Sequence, residues 1–250
     1  MDELTLDRTY KRRDKDGMVK PIQEWLCLQG IAIEPDGDFG TVTERAVRLF
    51  QTRAGVPPTG EVDQPTFTLL TQPMRAALAP LPAAGRTLGQ MVVAFAEQHL
   101  QQNPREVGRQ FGRENCGPWV RLYMDGNEGK DWPWCAGFTC FVLRQACESL
   151  DVAMPVPKSF SSSQLAASAK ARKRFVIGMS KSADRANIEP GYLFLLRGGS
   201  TGWRHVGIVV KPETGRAVTI EGNTNDEGSP EGYEVCLRTR DYGPIDYIRI

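Results

Sequence analysis

Hydrophobic periodicity changes once along this chain, and where it changes restricts the fold more than any other feature. Up to about Leu150 apolar residues recur at helical spacing. From Gly191 they follow strand spacing, in Tyr192-Leu-Phe-Leu-Leu196, Val206 to Val210, Ala217 to Ile220 and Ile245 to Ile250, between Gly, Pro and Asp turns. Helices first and an antiparallel sheet after predict an α+β fold rather than a doubly wound one, where the two would alternate. The 250 residues leave room for two domains. Gln72-Pro-Met-Arg-Ala-Ala-Leu-Ala-Pro-Leu-Pro-Ala-Ala-Gly85 has the composition of a semi-rigid spacer. The expected organisation is a three-helix domain over 1–72, a Pro/Ala linker over 73–86 and an α+β domain over 87–250.

Three short helices are expected between Val19 and Leu70. The first carries the stripe Val19, Ile22, Leu26 and Gln29 and closes at Gly30. The second opens on Thr41-Val-Thr-Glu44, which has the form of a capping box, and should present Val42, Ala46, Leu49 and Phe50 on one face. The third starts near Asp63 with Pro65 in its first turn. Further on, Thr87-Leu-Gly-Gln90 reads as another capping box, and a long apolar helix runs from Cys135 to Leu150.

Histidine is scarce: His99 and His205 are the two in the chain. His99 falls in the last turn of a helix, where a hydrogen-bonding side chain suits the carbonyl end. His205 lies in a strand-like run, Trp203-Arg-His205-Val-Gly-Ile-Val-Val210, well after Trp132-Pro-Trp-Cys135-Ala-Gly-Phe138. A thiol needs a neighbouring imidazole to become a nucleophile at neutral pH, so Cys135 and His205 are the candidate nucleophile and base. The start of a helix favours a thiolate through its free N–H groups and dipole. Cys140 and Cys147 fall within roughly 20° of each other on the helical wheel and away from Cys135, so they read as core, while Cys116 and Cys236 have no activating feature. On the following strand Thr219, Glu221 and Asn223 share a face, and either Glu221 or Asn223 could orient the imidazole.

Composition narrows the remaining classes. A net charge of +1 supplies no global attraction to nucleic acid or to an anionic surface. No apolar run is long enough to cross a bilayer, and the start of the chain has no apolar core of a signal peptide. The six cysteines form no CxxC pair and fit neither a disulfide scaffold nor a zinc ribbon, and two histidines are few for catalytic zinc. The turn Asp36-Gly-Asp38 lacks the further ligands of an EF-hand. No metal and no cofactor are expected.

Two family resemblances add to this reading. Asp36-Gly-Asp-Phe-Gly-Thr-Val-Thr-Glu-Arg-Ala-Val-Arg-Leu-Phe-Gln51, with the repeat-like tail Thr59-Gly-Glu-Val-Asp-Gln-Pro-Thr-Phe67, resembles the peptidoglycan-binding-domain family. It implies a partner, bacterial peptidoglycan, and no chemistry of its own. For single positions such as Asp38, Phe39 and Gln51, turn and core roles are the simpler expectation. The stretch from Thr87 to Ile250 resembles the CHAP family, close to the papain-like NlpC-type enzymes, through Asn115-Cys-Gly-Pro-Trp-Val120, Pro133-Trp-Cys-Ala-Gly-Phe138, Pro190-Gly-Tyr-Leu-Phe194, His205-Val-Gly-Ile-Val209 and Glu221-Gly-Asn223. That resemblance implies a papain-like arrangement of helices and antiparallel sheet, with Cys135 as nucleophile, His205 as base and Glu221 with Asn223 as the orienting polar pair. Trp134 stands where many relatives carry Gln or another polar group, so a second oxyanion donor is unassigned.

The activity so implied is cleavage of an amide bond in peptidoglycan through a thioester, either the bond from glycan to alanine or one within the peptides. Asn115, Trp134 and Trp203 flank the expected cleft as substrate contacts, with packing and helix capping an equally good account of them. The expected molecule is a monomer made in the cytoplasm without a signal peptide, which reaches the wall after release or delivery, as a phage endolysin or secretion cargo would. Two other classes stay open: a non-catalytic wall-binding protein, and a papain-like toxin acting on another amide.

Overall fold

The computed structural model describes residues 3–178, 188–199, 202–225, 232–243 and 245–250. Its helices, in chain order, are α1 (Val19–Leu28), α2 (Thr41–Arg53), α3 (Gln64–Leu70), α4 (Gln72–Ala77), α5 (Leu88–Gln101), α6 (Pro118–Tyr123), α7 (Cys135–Leu150) and α8 (Ser162–Ala171). The strands are β1 (Phe175–Val176), β2 (Leu193–Arg197), β3 (Trp203–Glu213), β4 (Arg216–Thr224), β5 (Glu234–Asp241) and β6 (Ile245–Ile248). They form one antiparallel sheet in the order β1-β6-β2-β3-β4-β5, so the fold is α+β. The chain makes two compact units, one from the residues up to Leu78 with Arg105–Trp132, the other from Ala79–Pro104 with Pro133–Ile250.

In the first unit α1, α2 and α3 are the three helices that the periodicity implies. Each turn between them is fastened by a buried glutamine from the preceding helix. Gln23 on α1 donates through Nε2 to Asp36 Oδ1 at 2.7 Å, to the Asp38 carbonyl at 3.1 Å and to Thr43 Oγ1 at 3.0 Å, and its Oε1 accepts from the Gly37 N–H at 2.8 Å. Gln51 on α2 repeats the arrangement with Thr59 Oγ1 at 3.0 Å, the Glu61 carbonyl at 2.9 Å, Thr66 Oγ1 at 3.1 Å and the Gly60 N–H at 2.9 Å. Both amides are 1% exposed, so each satisfies backbone groups that water does not reach.

This device shifts α2 away from the expected phase. Thr43 must face the Gln23 amide, so Thr43, Ala46, Val47 and Phe50 turn inward, and Val42 and Leu49 stand exposed. No side chain caps α2, and the expected Thr41 to Glu44 box does not form. The start of α3 does follow expectation, with the Asp63 carboxylate accepting from the Thr66 N–H at 2.9 Å.

Two further segments differ from the expected organisation. Residues 72–77, read as spacer, form α4 with Met74 and Ala77 fully buried, because a proline suits the first helical turn and Ala and Met are good helix formers. Arg105–Trp132, expected in the α+β domain, belongs to the first unit. Its α6 carries Arg121, whose guanidinium donates to Glu3 at 2.6 and 3.0 Å, to Glu24 at 2.7 Å and to Glu128 at 2.7 Å. Glu3 and Glu24 are nearly sealed from water and require that cation. Trp119 of α6 also meets Trp25 of α1 edge to face, centroids 6.4 Å apart.

In the second unit the Thr87 capping box forms, with both reciprocal bonds made. The long helix α7 packs on β3 and β4. His99 ends α5 fully buried, its Nε2–H donating to Gln145 Oε1 of α7 at 2.8 Å. The reversal from β3 to β4 falls at Thr214 and Gly215, within the expected turn. Strands β1 and β5 were not expected.

Two stability predictions arise here. Gln51→Ala leaves several buried donors and acceptors unpaired and should cost the first unit about 3 kcal/mol in urea unfolding; a loss under about 0.5 kcal/mol would contradict the fastening role. Burial pushes His99 down to about 4 from 6.5. The unfolded chain therefore binds the proton more tightly, so stability is full above about 6.5 and falls as pH drops towards 4, by up to roughly 3 kcal/mol. His99→Gln should flatten that acid limb, and an unchanged slope would count against it.

Candidate active site

Cys135 is the first residue of α7, so its own N–H and the next two have no carbonyl partner within the helix, and the positive helix end lies at the sulfur. The first turn of α7 presses on β4 at Gly222, where a Cβ would stand 2.7 Å from Phe138 Cβ and 2.9 Å from Trp134 Cζ3. A second helix start meets it. Ser161 caps α8, Ser163 Oγ accepts from the Trp203 N–H at 3.1 Å, and Ser162 Oγ lies 4.0 Å from Cys135 Sγ. The start of β3 is thereby tied to the start of α8, beside the sulfur.

His205, opposite Leu196 of β2, joins the sulfur to a carboxylate. Its ring hydrogen-bonds Cys135, and its Nε2–H donates to Glu221 Oε2 at 2.8 Å, so Nδ1 is the nitrogen left to face the sulfur. The register of β3 and β4, Ile208 opposite Ile220 and Val209 opposite Thr219, makes Glu221 a diagonal neighbour of His205 across Gly207. A Cβ at Gly207 would stand 2.6 Å from Phe194 Cε1 and 2.9 Å from Glu221 Cγ. Glycine there opens the diagonal.

Glu221 is fully buried, and four donors satisfy it. Oε1 accepts from Thr219 Oγ1 at 2.6 Å and Arg240 Nε at 2.8 Å, and Oε2 accepts from Arg240 Nη2 at 2.5 Å as well as from His205. Burial pushes this carboxyl upward, but the bonds from Arg240 and His205 outweigh it and hold the group well below the usual range. Burial likewise opposes the charge on His205, yet its bonds to Cys135 and Glu221 raise the imidazole above its ordinary value. For Cys135 burial acts against the thiolate, and the His205 hydrogen bond and charge bring the thiol below its ordinary value. Burial pushes the thiols of Cys27, Cys116, Cys140 and Cys147 the other way. The arrangement favours a thiolate–imidazolium pair at Cys135.

Of the residues nominated from sequence, Cys135, His205 and Glu221 come together. Asn223 does not join them: the β4–β5 register breaks between Glu221 and Thr224, Asn223 takes a left-handed conformation with φ 54°, and its buried Oδ1 has no hydrogen-bond partner among the described residues. Among the described residues Glu221 is the hydrogen-bond partner that orients the ring. Trp134, nominated as a substrate contact, is fully buried under the start of α7 and presents no surface to a ligand. Trp203 is half-buried, its indole N–H donating to Asp246 at 2.9 Å, with Phe175 against its edge and Lys170 over its ring at 4.5 Å. Asn115 lies in the first unit, where its N–H donates to Glu106 at 2.9 Å and its Nδ2 to the Lys130 carbonyl at 3.3 Å. Sequence alone gives no role to Ser162, Thr219 or Arg240. Alternation with Glu221 was a signal for Thr219; for Arg240 there was none, because its strand was not recognised.

Among the described residues no group of three or more His, Cys, Asp or Glu could hold a metal ion, and no helix is long and apolar enough to cross a membrane.

Residues 15–70 match the family model described as "Putative peptidoglycan binding domain", which covers less than a quarter of the chain. The helical N-terminal domain thus carries a peptidoglycan-binding module, which indicates association with the cell wall. No curated protein matches the chain.

Gly207→Ala tests the diagonal contact. Displacing Glu221 should slow alkylation of Cys135 at neutral pH about tenfold, one unit of lost activation, read by mass spectrometry of the Cys135 peptide. An unaltered rate would show that the imidazole does not depend on that path.

Proposed function

We propose that this protein is a cysteine-dependent hydrolase that cleaves an amide bond of bacterial peptidoglycan. The observation that carries this reading is the single sulfur among the buried cysteines whose surroundings favour the thiolate, held on one side by an imidazole that a buried carboxylate orients. The wall-binding module supplies the substrate class, since an attached module concentrates the site on the polymer it binds.

In the proposed reaction the Cys135 thiolate attacks the amide carbonyl carbon, and the carbonyl π electrons pass to oxygen. The Cys135 N–H at the helix start donates to that oxyanion. The His205 imidazolium gives its proton to the departing nitrogen as the C–N bond breaks, leaving a thioester and a free amine. Neutral His205 then takes a proton from water, whose oxygen attacks the thioester carbonyl; the thiolate leaves and a carboxylic acid is formed. Glu221 keeps the ring oriented through both steps and stabilises its charged form. Whether the bond is the one from glycan to alanine or one inside the peptides is set by which new ends appear. Action at the wall after release from the cytoplasm, as by an endolysin, accords with this substrate.

Purified sacculi incubated with the wild type should release soluble fragments bearing new amine and carboxylate ends, identified by mass spectrometry. Cys135→Ala should lower that release by about 10³-fold or more. If both proteins bind sacculi and neither releases fragments, the chain is a wall-binding protein without hydrolase activity. Equal digestion by both would end the thiol mechanism.

A further inference from the structure

Arg240 stands on β5 directly opposite Ala217, yet its side chain runs diagonally over the sheet to Glu221. It meets the carboxylate as a two-point fork, Nε to Oε1 at 2.8 Å and Nη2 to Oε2 at 2.5 Å. A guanidinium matched to both oxygens fixes the plane of a carboxylate, which a single-point donor cannot do. The oxygen that Nη2 holds is the one that accepts from His205 Nε2.

We propose that Arg240 is a positioning residue of this site: it fixes the Glu221 carboxylate with one oxygen aimed at His205 and completes a four-charge chain, Cys135, His205, Glu221 and Arg240, that is neutral when the sulfur is ionised. This rests on the Cys135–His205 pair described above. Counting charges gives the consequence. Thiolate, imidazolium, carboxylate and guanidinium sum to zero. Without the guanidinium the same ionised sulfur leaves a net negative charge in a buried cluster, where the surroundings do not screen it. Among the described residues the other titratable groups nearby do not replace it. Cys236 lies opposite Glu221 on β5, Cys140 of α7 is pushed towards its neutral form by burial, and His99 of α5 donates to Gln145. Arg238, the next cation along β5, donates from Nη1 to the Asn225 carbonyl. From β2 the cluster meets the Phe194 ring, 5.9 Å from the His205 ring.

The test is the pH dependence of Cys135 alkylation by iodoacetamide in the full chain, followed on the Cys135 peptide, for wild type, Arg240→Met, Arg240→Lys, Glu221→Gln and the Glu221→Gln/Arg240→Met double variant. Circular dichroism establishes that each is folded. The wild type should alkylate with a midpoint below that of an ordinary thiol. Arg240→Met should move the midpoint up by about one pH unit. Arg240→Lys keeps the charge and loses the fork, so its midpoint should stay near the wild type while fragment release from sacculi falls about tenfold or more. In the Glu221→Gln background, Arg240→Met should add clearly less than the shift it causes alone, because the part that acts through the carboxylate is gone. A wild-type profile for Arg240→Met, or a full further shift in the double variant, would overturn the proposal. A wild type that shows the lowered midpoint yet releases no fragments would sink the hydrolase reading, and the alkylation series would still decide the role of Arg240.

Discussion

One buried carboxylate governs the second unit. Glu221 has no contact with water, and its charge is tolerable because four donors converge on it from β3, β4 and β5. Its bond to His205 keeps the imidazole protonated and turned towards Cys135, and the imidazolium in turn makes an ionised sulfur favourable at the start of α7. The two histidines illustrate how much that partner matters. Both are withdrawn from water, but His99 faces a neutral amide and is driven towards its uncharged form, while His205 faces a carboxylate and a thiol and is driven the other way. Burial decides the first case, and in the second the bonds and charges of the partners outweigh it.

The geometry that delivers this partner is built from small absences. Gly222 lets the first turn of α7 lie against β4, and Gly207 lets Glu221 cross to His205. Either side chain would press on a ring or on the carboxylate stem itself. The start of α8, tied to Trp203 through Ser163, adds a third wall. Helix starts and a strand therefore meet at one sulfur, with polar groups around it although the residue is 5% exposed.

Much of this was legible in the sequence, and the rest was hidden for physical reasons. Helical and strand periods located most elements, and the scarcity of histidine singled out His205. Strand parity placed Glu221 on the right face, but it could not choose between Glu221 and Asn223, because that choice depends on a break in the β4–β5 ladder. Arg240 was invisible since β5 alternates Val235 and Leu237 with Cys236, Arg238 and Arg240, a weakly apolar pattern for an edge strand whose Leu237 faces outward. The phase of α2 was misjudged for a related reason: a buried polar contact from Thr43 to Gln23 outranks the apolar positions Val42 and Leu49. The assignment of Arg105–Trp132 to the first unit depends on pairs far apart in sequence, Arg121 with Glu3 and Glu24, which no local pattern reports.

The whole site depends on the Cys135 thiol ionising below its ordinary range because His205 is charged beside it. The direct measurement is the ultraviolet absorbance of thiolate as a function of pH, taken as the difference between wild type and Cys135→Ser. A thiolate signal that appears at clearly lower pH than that of an ordinary thiol is the expected result. A difference that stays flat until the range of a free thiol would contradict the account.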